Sequence, residues 1–237
     1  MGLAAVLLIA ALGAVDGAVY TCPNVSTPPV IDGKVDDAAW RCAPVVEFVN
    51  AVTGEPVTKS TKARMCWDDE CLYVAWECVD QDIWGTYTKR DDPVYREEVV
   101  EIFACPTCDL TRYYEFNVTP RNTVFDAFIV NPDGINPGEG TAFDWNCKDL
   151  RTAVVVDGTL DNRGDVDNGY SVEIAIPFAS LDRKAPRPGE RWRVNLFRID
   201  LTPPPIEFQA WSPPMYKPAR FHVPDRFGTV FFSEVGE

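Results

Sequence analysis

Basic residues are scarce in this 237-residue chain: 22 Lys and Arg stand against 36 Asp and Glu, for a formal net charge of −14. That deficit argues against nucleic acid and anionic membrane surfaces as partners, both of which need a positive face. Histidine is scarcer still, with His222 alone, so no His-rich metal set can form. No Gly-x-Ser-x-Gly elbow and no phosphate-cradling Gly-rich loop occurs, so neither acyl transfer nor nucleotide chemistry has its usual signature. Helical periodicity is confined to a turn at Asp36–Trp40 and the stretch Pro177–Leu181. After residue 14 no apolar run is long enough to span a bilayer.

What is present begins with Met1–Ala14, an uncharged run rich in Ala and Leu. It is short for a membrane span and fits the apolar part of a secretory signal peptide, although the basic n-region is missing. The expected organisation is a signal peptide over 1–17, a Pro-containing lead-in segment over 18–27, one domain over 28–232 and a tail over 233–237. Hydrophobic residues at 46% and charged residues at 24% are ordinary for a globular fold. Eight cysteines, all between Cys22 and Cys147, suit an exported, disulfide-permissive chain. Cys66 and Cys71 flank the turn Asp68-Asp69-Glu70, and Cys105-Pro106-Thr107-Cys108 occupies a hairpin. One or both pairs are expected to be disulfides, since a zinc ribbon needs two such knuckles.

Short strands separated by turn residues are predicted over 62–68, 71–79, 98–104, 112–119, 123–130, 151–157, 169–176, 191–201, 206–211 and 227–232. This spacing with so little helix predicts an all-β fold, an antiparallel β-sandwich of jelly-roll type. Loop 131–146 is rich in Gly, Pro and Asn, and 202–206 is stiffened by three prolines.

The chemistry concentrates at Val99–Ala104. Side chains alternate across a strand, so Val99, Glu101 and Phe103 share one face and Val100, Ile102 and Ala104 the other. A carboxylate among apolar neighbours is costly unless paired or solvated, which makes Glu101 a groove residue. The strand at 113–119 repeats the pattern with Tyr113, Glu115, Asn117 and Thr119 on one face. Carboxylates, an amide and the upstream ring of Tyr95 on a rigid sheet suit a neutral polyol. Arg198, alternating with Leu196 and Asp200, either pairs with that aspartate or lines the groove. Trp211 is a further candidate ring.

The ordered set Ile31-Asp32-Gly33, Asp36–Trp40, Leu72–Ala75, Val99–Phe103, Tyr114–Phe116, Gly169–Pro177, Trp192–Asn195, Trp211-Ser212 and Phe221–Gly228 resembles the family 9 carbohydrate-binding modules and the wider DOMON-type group of sandwich domains. The resemblance implies a non-catalytic module that binds polysaccharide ends or small sugars, with two aromatic rings clamping the sugar and strand residues bonding its hydroxyls. The resemblance also implies a glycoside hydrolase as partner, in the breakdown of xylan or cellulose. By position it places Tyr95 and Phe221 as the rings, where relatives commonly carry tryptophan. Glu101, Glu115 and Asn117 become hydroxyl contacts, with Glu115 a departure from the basic residue the family carries near that position.

Four alternatives go with this reading. Asp161, Asp165 and Asp167 crowd one loop, and such oxygen-rich loops suit structural calcium, though no cofactor is required. Glu101 and Glu115 are a carboxylate pair of the kind that hydrolyses glycosides. A rival function is haem binding through Met65, Met215 and His222. Another is a structural surface domain that docks a protein through an uncovered apolar patch.

Overall fold

The computed structural model describes residues 17–201 and 205–235, so most of the expected signal peptide and part of the Pro-rich loop lie outside them. The described chain is 40% strand and 7% helix. Thirteen strands follow the predicted spacing: β1 (Val19–Asn24), β2 (Val46–Glu47), β3 (Val49–Asn50), β4 (Thr61–Trp67), β5 (Cys71–Val79), β6 (Val99–Cys105), β7 (Arg112–Val118), β8 (Val124–Val130), β9 (Arg151–Asp157), β10 (Gly169–Pro177), β11 (Arg191–Asp200), β12 (Glu207–Ala210) and β13 (Gly228–Val235). Among the described residues one α-helix occurs, α1 (Ala38–Cys42), little more than a single turn.

The strands join in the order β8-β7-β6-β11-β13-β1-β4-β5-β10-β9. That ribbon folds over on itself into a sandwich. Leu72, Val74 and Trp76 of β5 and Val172 and Ile174 of β10 meet Val100, Ile102 and Ala104 of β6 and Phe116 of β7 in one core. These are the alternate residues of each strand, as period-two patterning requires. Val100, Ile102, Phe116 and Val172 are buried as expected, and Tyr114 is partly buried at the core's edge.

Each half of the sandwich also carries a smaller apolar layer on its outer face. On the β4–β5–β10 side α1 lays Ala39 and Trp40 over Cys66, Tyr73 and Ala175. On the β6–β7–β11 side Phe103, Tyr113, Phe125 and Phe197 pack under Phe221 and Phe227. This second cover explains why β6 is buried along its whole length and why its sequence is apolar on both faces.

Three expectations are corrected. Segment 18–27 is not a lead-in: β1 pairs in parallel with β13 and β4, against the antiparallel pairing of the rest. Its signal is short, Tyr20 and Cys22 facing inward before Pro23. The expected tail likewise begins inside β13. All eight cysteines are free thiols. The Cys105 Sγ faces the carbonyls of Asp109 and Arg112, while Cys108 Sγ faces that of Arg191. Cys66 pairs across the ladder with Tyr73, not with Cys71.

Candidate functional site

The outer face of β6 and β7 forms the floor of a cleft of about 410 Å³. Glu101 stands opposite Asn117 in the ladder, and Phe103 opposite Glu115, so the two glutamates lie diagonally on adjacent strands and share the face read from the sequence. Both line the cleft and both are nearly buried, Glu101 at 2% and Glu115 at 4% exposure. Asn117 lies one step deeper and donates its Nδ2 to Glu115 Oε1 at 2.9 Å.

Rings form the walls. Tyr95, on the 3₁₀ turn before β6, lines the cleft, is 41% exposed and meets Phe125 edge-on at 5.4 Å. Phe143, from loop 131–146, lines it at 53% exposure. Phe221 also lines it, but is only 9% exposed and stacks on Phe197 at 4.1 Å, which occupies one of its faces. The structure therefore brings Tyr95, Glu101, Glu115 and Phe221 to one cleft. It adds Phe103, Phe125, Phe143 and His222, which the sequence reading did not assign to it.

His222 is the residue least legible beforehand. Its ring stacks on Phe103 at 4.9 Å. Tyr113 Oη accepts from Asn131 Nδ2 at 3.0 Å and lies 2.8 Å from His222 Nδ1. His222 Nε2 lies 3.8 Å from Glu115 Oε2. Burial lowers the His222 pKa to about 4, so the ring is neutral near pH 7.

Burial dominates the carboxyls as well. It pushes the Glu115 pKa up to about 7 against an opposing hydrogen bond from Asn117. Glu101 is held well above the usual carboxylate range, by burial first and by the adjacent Glu115 second. A raised carboxyl pKa means the folded state keeps a proton that the unfolded chain releases. Its stabilising effect is complete below the unfolded value of 4.5 and is lost as pH rises through about 7. Glu115→Gln is therefore expected to remove a stability loss on the order of 3 kcal/mol between those limits. Urea melts of both proteins across that range check this; parallel pH profiles would refute it.

The remaining candidates lie elsewhere. Arg198 points to the inner face at one end of the core, where it bonds Asp80 at 2.8 Å and Asp200 at 3.0 Å. It also reaches Thr61 Oγ1 and the Val79 carbonyl, and is a structural ion pair rather than a groove residue. Trp211 packs inward, edge-on to Tyr20 at 6.2 Å and against Gly228, where a Cβ would lie 2.5 Å from the indole. The aspartate loop is tied by its own donors. Asp167 accepts from the Ile83 and Thr159 amides, Asp165 from Thr159 Oγ1, and Asp161 from the Gly85 amide and Arg121. Among the described residues the carboxylates that converge as a trio are instead Asp80, Glu98 and Asp200, beside Arg198. For haem, Met65 lies inside the main core while His222 packs on the opposite face of the sheet with its Nδ1 engaged.

A β-sandwich with a ring-walled, carboxyl-floored cleft on one outer face defines a small-ligand-binding domain. Residues 31–234 match the family described as carbohydrate family 9 binding domain-like, and the chain belongs to it. It is 27% identical over 216 residues to an "Extracellular protein" of Arthroderma benhamiae, covering 88% of this chain and 92% of that one. It is 29% identical over 153 residues to "Exoglucanase XynX" of Acetivibrio thermocellus, covering 65% of this chain but 12% of that enzyme. Among solved structures, a family 9 carbohydrate-binding module from Caldicellulosiruptor kristjanssonii in complex with cellotriose superposes with a TM-score of 0.63 at 17% identity, covering 91% and 94% of the two chains. A Bacteroides uniformis protein superposes with a TM-score of 0.72 at 15% identity, over 92% and 100%. These likenesses establish the fold.

Proposed function

We propose that this protein is a secreted, non-catalytic and cofactor-free module that binds the ends of plant-type polysaccharides or small sugars in the cleft. It serves alongside glycoside hydrolases acting on xylan or cellulose. The observation that carries the reading is the meeting of exposed rings and buried carboxyls in one cleft. Sugars present apolar C–H faces and a rim of hydroxyls, and this lining offers a counterpart to each. A volume of about 410 Å³ falls within the range of small-ligand sites. Tyr95 supplies one ring face. Phe143 is the more exposed choice for the second, because Phe221 is partly covered by Phe197. Glu101 lines the cleft with Oε1 unpartnered among the described residues, so its carboxyl is the group offered to a sugar hydroxyl. The names of the xylanase, exoglucanase and extracellular relatives favour polysaccharide breakdown outside the cell.

The test is a glycan array followed by calorimetry on the best ligand. Tyr95→Ala is expected to weaken binding through lost stacking. Glu101→Ala is expected to cost roughly 0.5–1.5 kcal/mol through loss of a hydrogen bond to the sugar rim. Wild-type affinity in both variants would reject this site, and no glycan binding would reject the function.

A further inference from the structure

We propose that the cleft selects sugars carrying a protonated amine, glucosamine units, over neutral sugars of the same shape. This rests on the carbohydrate-binding reading and concerns the same cleft. Its basis is an uncompensated acidic floor. Glu101 and Glu115 lie diagonally on neighbouring strands, both nearly buried, with Glu101 Oε1 unpartnered. Among the described residues no lysine or arginine pairs with either one. The only nearby ring nitrogen is His222 Nε2, at 3.8 Å from Glu115, and the histidine is neutral.

Other buried acids in this protein are provided for. Arg198 serves Asp80 and Asp200, with Lys59 also on Asp200 at 2.6 Å. Arg90 serves Asp126 at 2.5 Å. Glu173 and Asp167 accept from backbone amides. At the cleft floor the countercharge is left for the ligand.

A neutral sugar offers hydroxyls only, so the buried pair must retain a proton while it binds. An ammonium lets both carboxyls ionise and makes charge-assisted bonds to them. The surrounding rings of Tyr95, Phe103, Phe125 and Phe221 add the attraction of aromatic faces for a cation. The opposing group is Arg220, which lines the cleft with an unpartnered Nε and on its own would favour a uronate. It touches neither glutamate. Its Nη1 donates to the exposed Asn136 at 2.6 Å and its guanidinium lies over Tyr216 at 5.4 Å.

The test titrates the whole protein with four disaccharides, those of glucosamine, N-acetylglucosamine, glucose (cellobiose) and a glucuronate, at a pH where the amine is protonated. Because a net charge of −14 attracts any cation, the series is repeated in about 1 M salt, where screening acts within about 3 Å. The glucosamine disaccharide is expected to bind at least about tenfold more tightly than cellobiose, and to keep that preference in salt. The N-acetylated sugar, which lacks the charge, is expected to bind no better than cellobiose. Glu101→Gln and Glu115→Gln are expected to lower the amine preference more than the affinity for cellobiose. Equal or tighter cellobiose binding would overturn the proposal and leave the carbohydrate reading standing. Tightest binding of the uronate would overturn it in favour of Arg220. Binding of none of the four would remove both.

Discussion

Arg198→Met is expected to destabilise the protein by about 3–5 kcal/mol. The guanidinium is fully buried and ties three parts of the sandwich together: Asp80 after β5, Asp200 at the end of β11, and Thr61 at the start of β4. Replacing the pair wholesale by apolar groups can be neutral. Withdrawing the cation alone is not, because two buried carboxylates then face each other with less compensation. Urea unfolding is the measurement. Arg198→Met combined with Asp80→Asn is expected to recover part of the loss, since one of the stranded charges is then gone. A single-variant loss under about 1 kcal/mol, the range of an exposed pair, would show that the cluster is dispensable.

Glu173→Ala is expected to cost about 3 kcal/mol or more, by leaving buried donors unmet. The carboxylate on β10 is buried and accepts from Trp40 Nε1 at 2.6 Å, Gly33 N at 2.7 Å and Asp32 N at 2.9 Å. It thereby holds α1 and the 32–33 turn on the outer face of the sheet. The turn has no slack: Gly33 has φ +88°, and a Cβ there would lie 2.8 Å from the Val154 carbonyl carbon. The loss is expected to be local. Hydrogen exchange over residues 30–42 should quicken and Trp40 emission should shift to the red, while the cleft on the opposite half keeps its ligand affinity. Unchanged protection of that segment would refute the tether.

Much of this architecture was legible because strands announce themselves by alternation. The β6 and β7 registers follow directly from Val99–Ala104 and Tyr113–Thr119, and with them the shared face of Glu101 and Glu115. Alternation fixes which residues share a face, but not which face is inside. Alternation groups Arg198 with Leu196 and Asp200, yet only the folded sandwich shows that this trio points inward. Trp211 failed as a candidate for the same reason. His222 is hard to place from sequence because it reaches the cleft through a loop, held by Tyr113 of β7 and by Asn131 just past β8. The cysteine pairs looked close along the chain, but closeness in sequence says nothing of where each Sγ points. In the aspartate loop, backbone amides claim carboxylates that an oxygen count alone would assign to a metal.

The parallel seam between β1 and β13 has a consequence for how the molecule is made. Val19 pairs with Thr229 and Cys22 with Phe232, so β1 waits for a partner that follows it only after every other strand of the sheet has been made. Until β13 arrives, β1 has only its single ladder position with β4, Asn24 opposite Trp67, and the two halves of the ribbon are not joined along this line. Such distant closure is slow, because the entropy of a long loop is lost before contacts return it. The half carrying β4, β5, β9 and β10 and the half carrying β6, β7 and β8 can each gather earlier through nearer partners. Closing the seam is then the step that commits the two hemispheres to one another, and during synthesis the exposed edges at this line are where the nascent chain is most open to pairing with a neighbour.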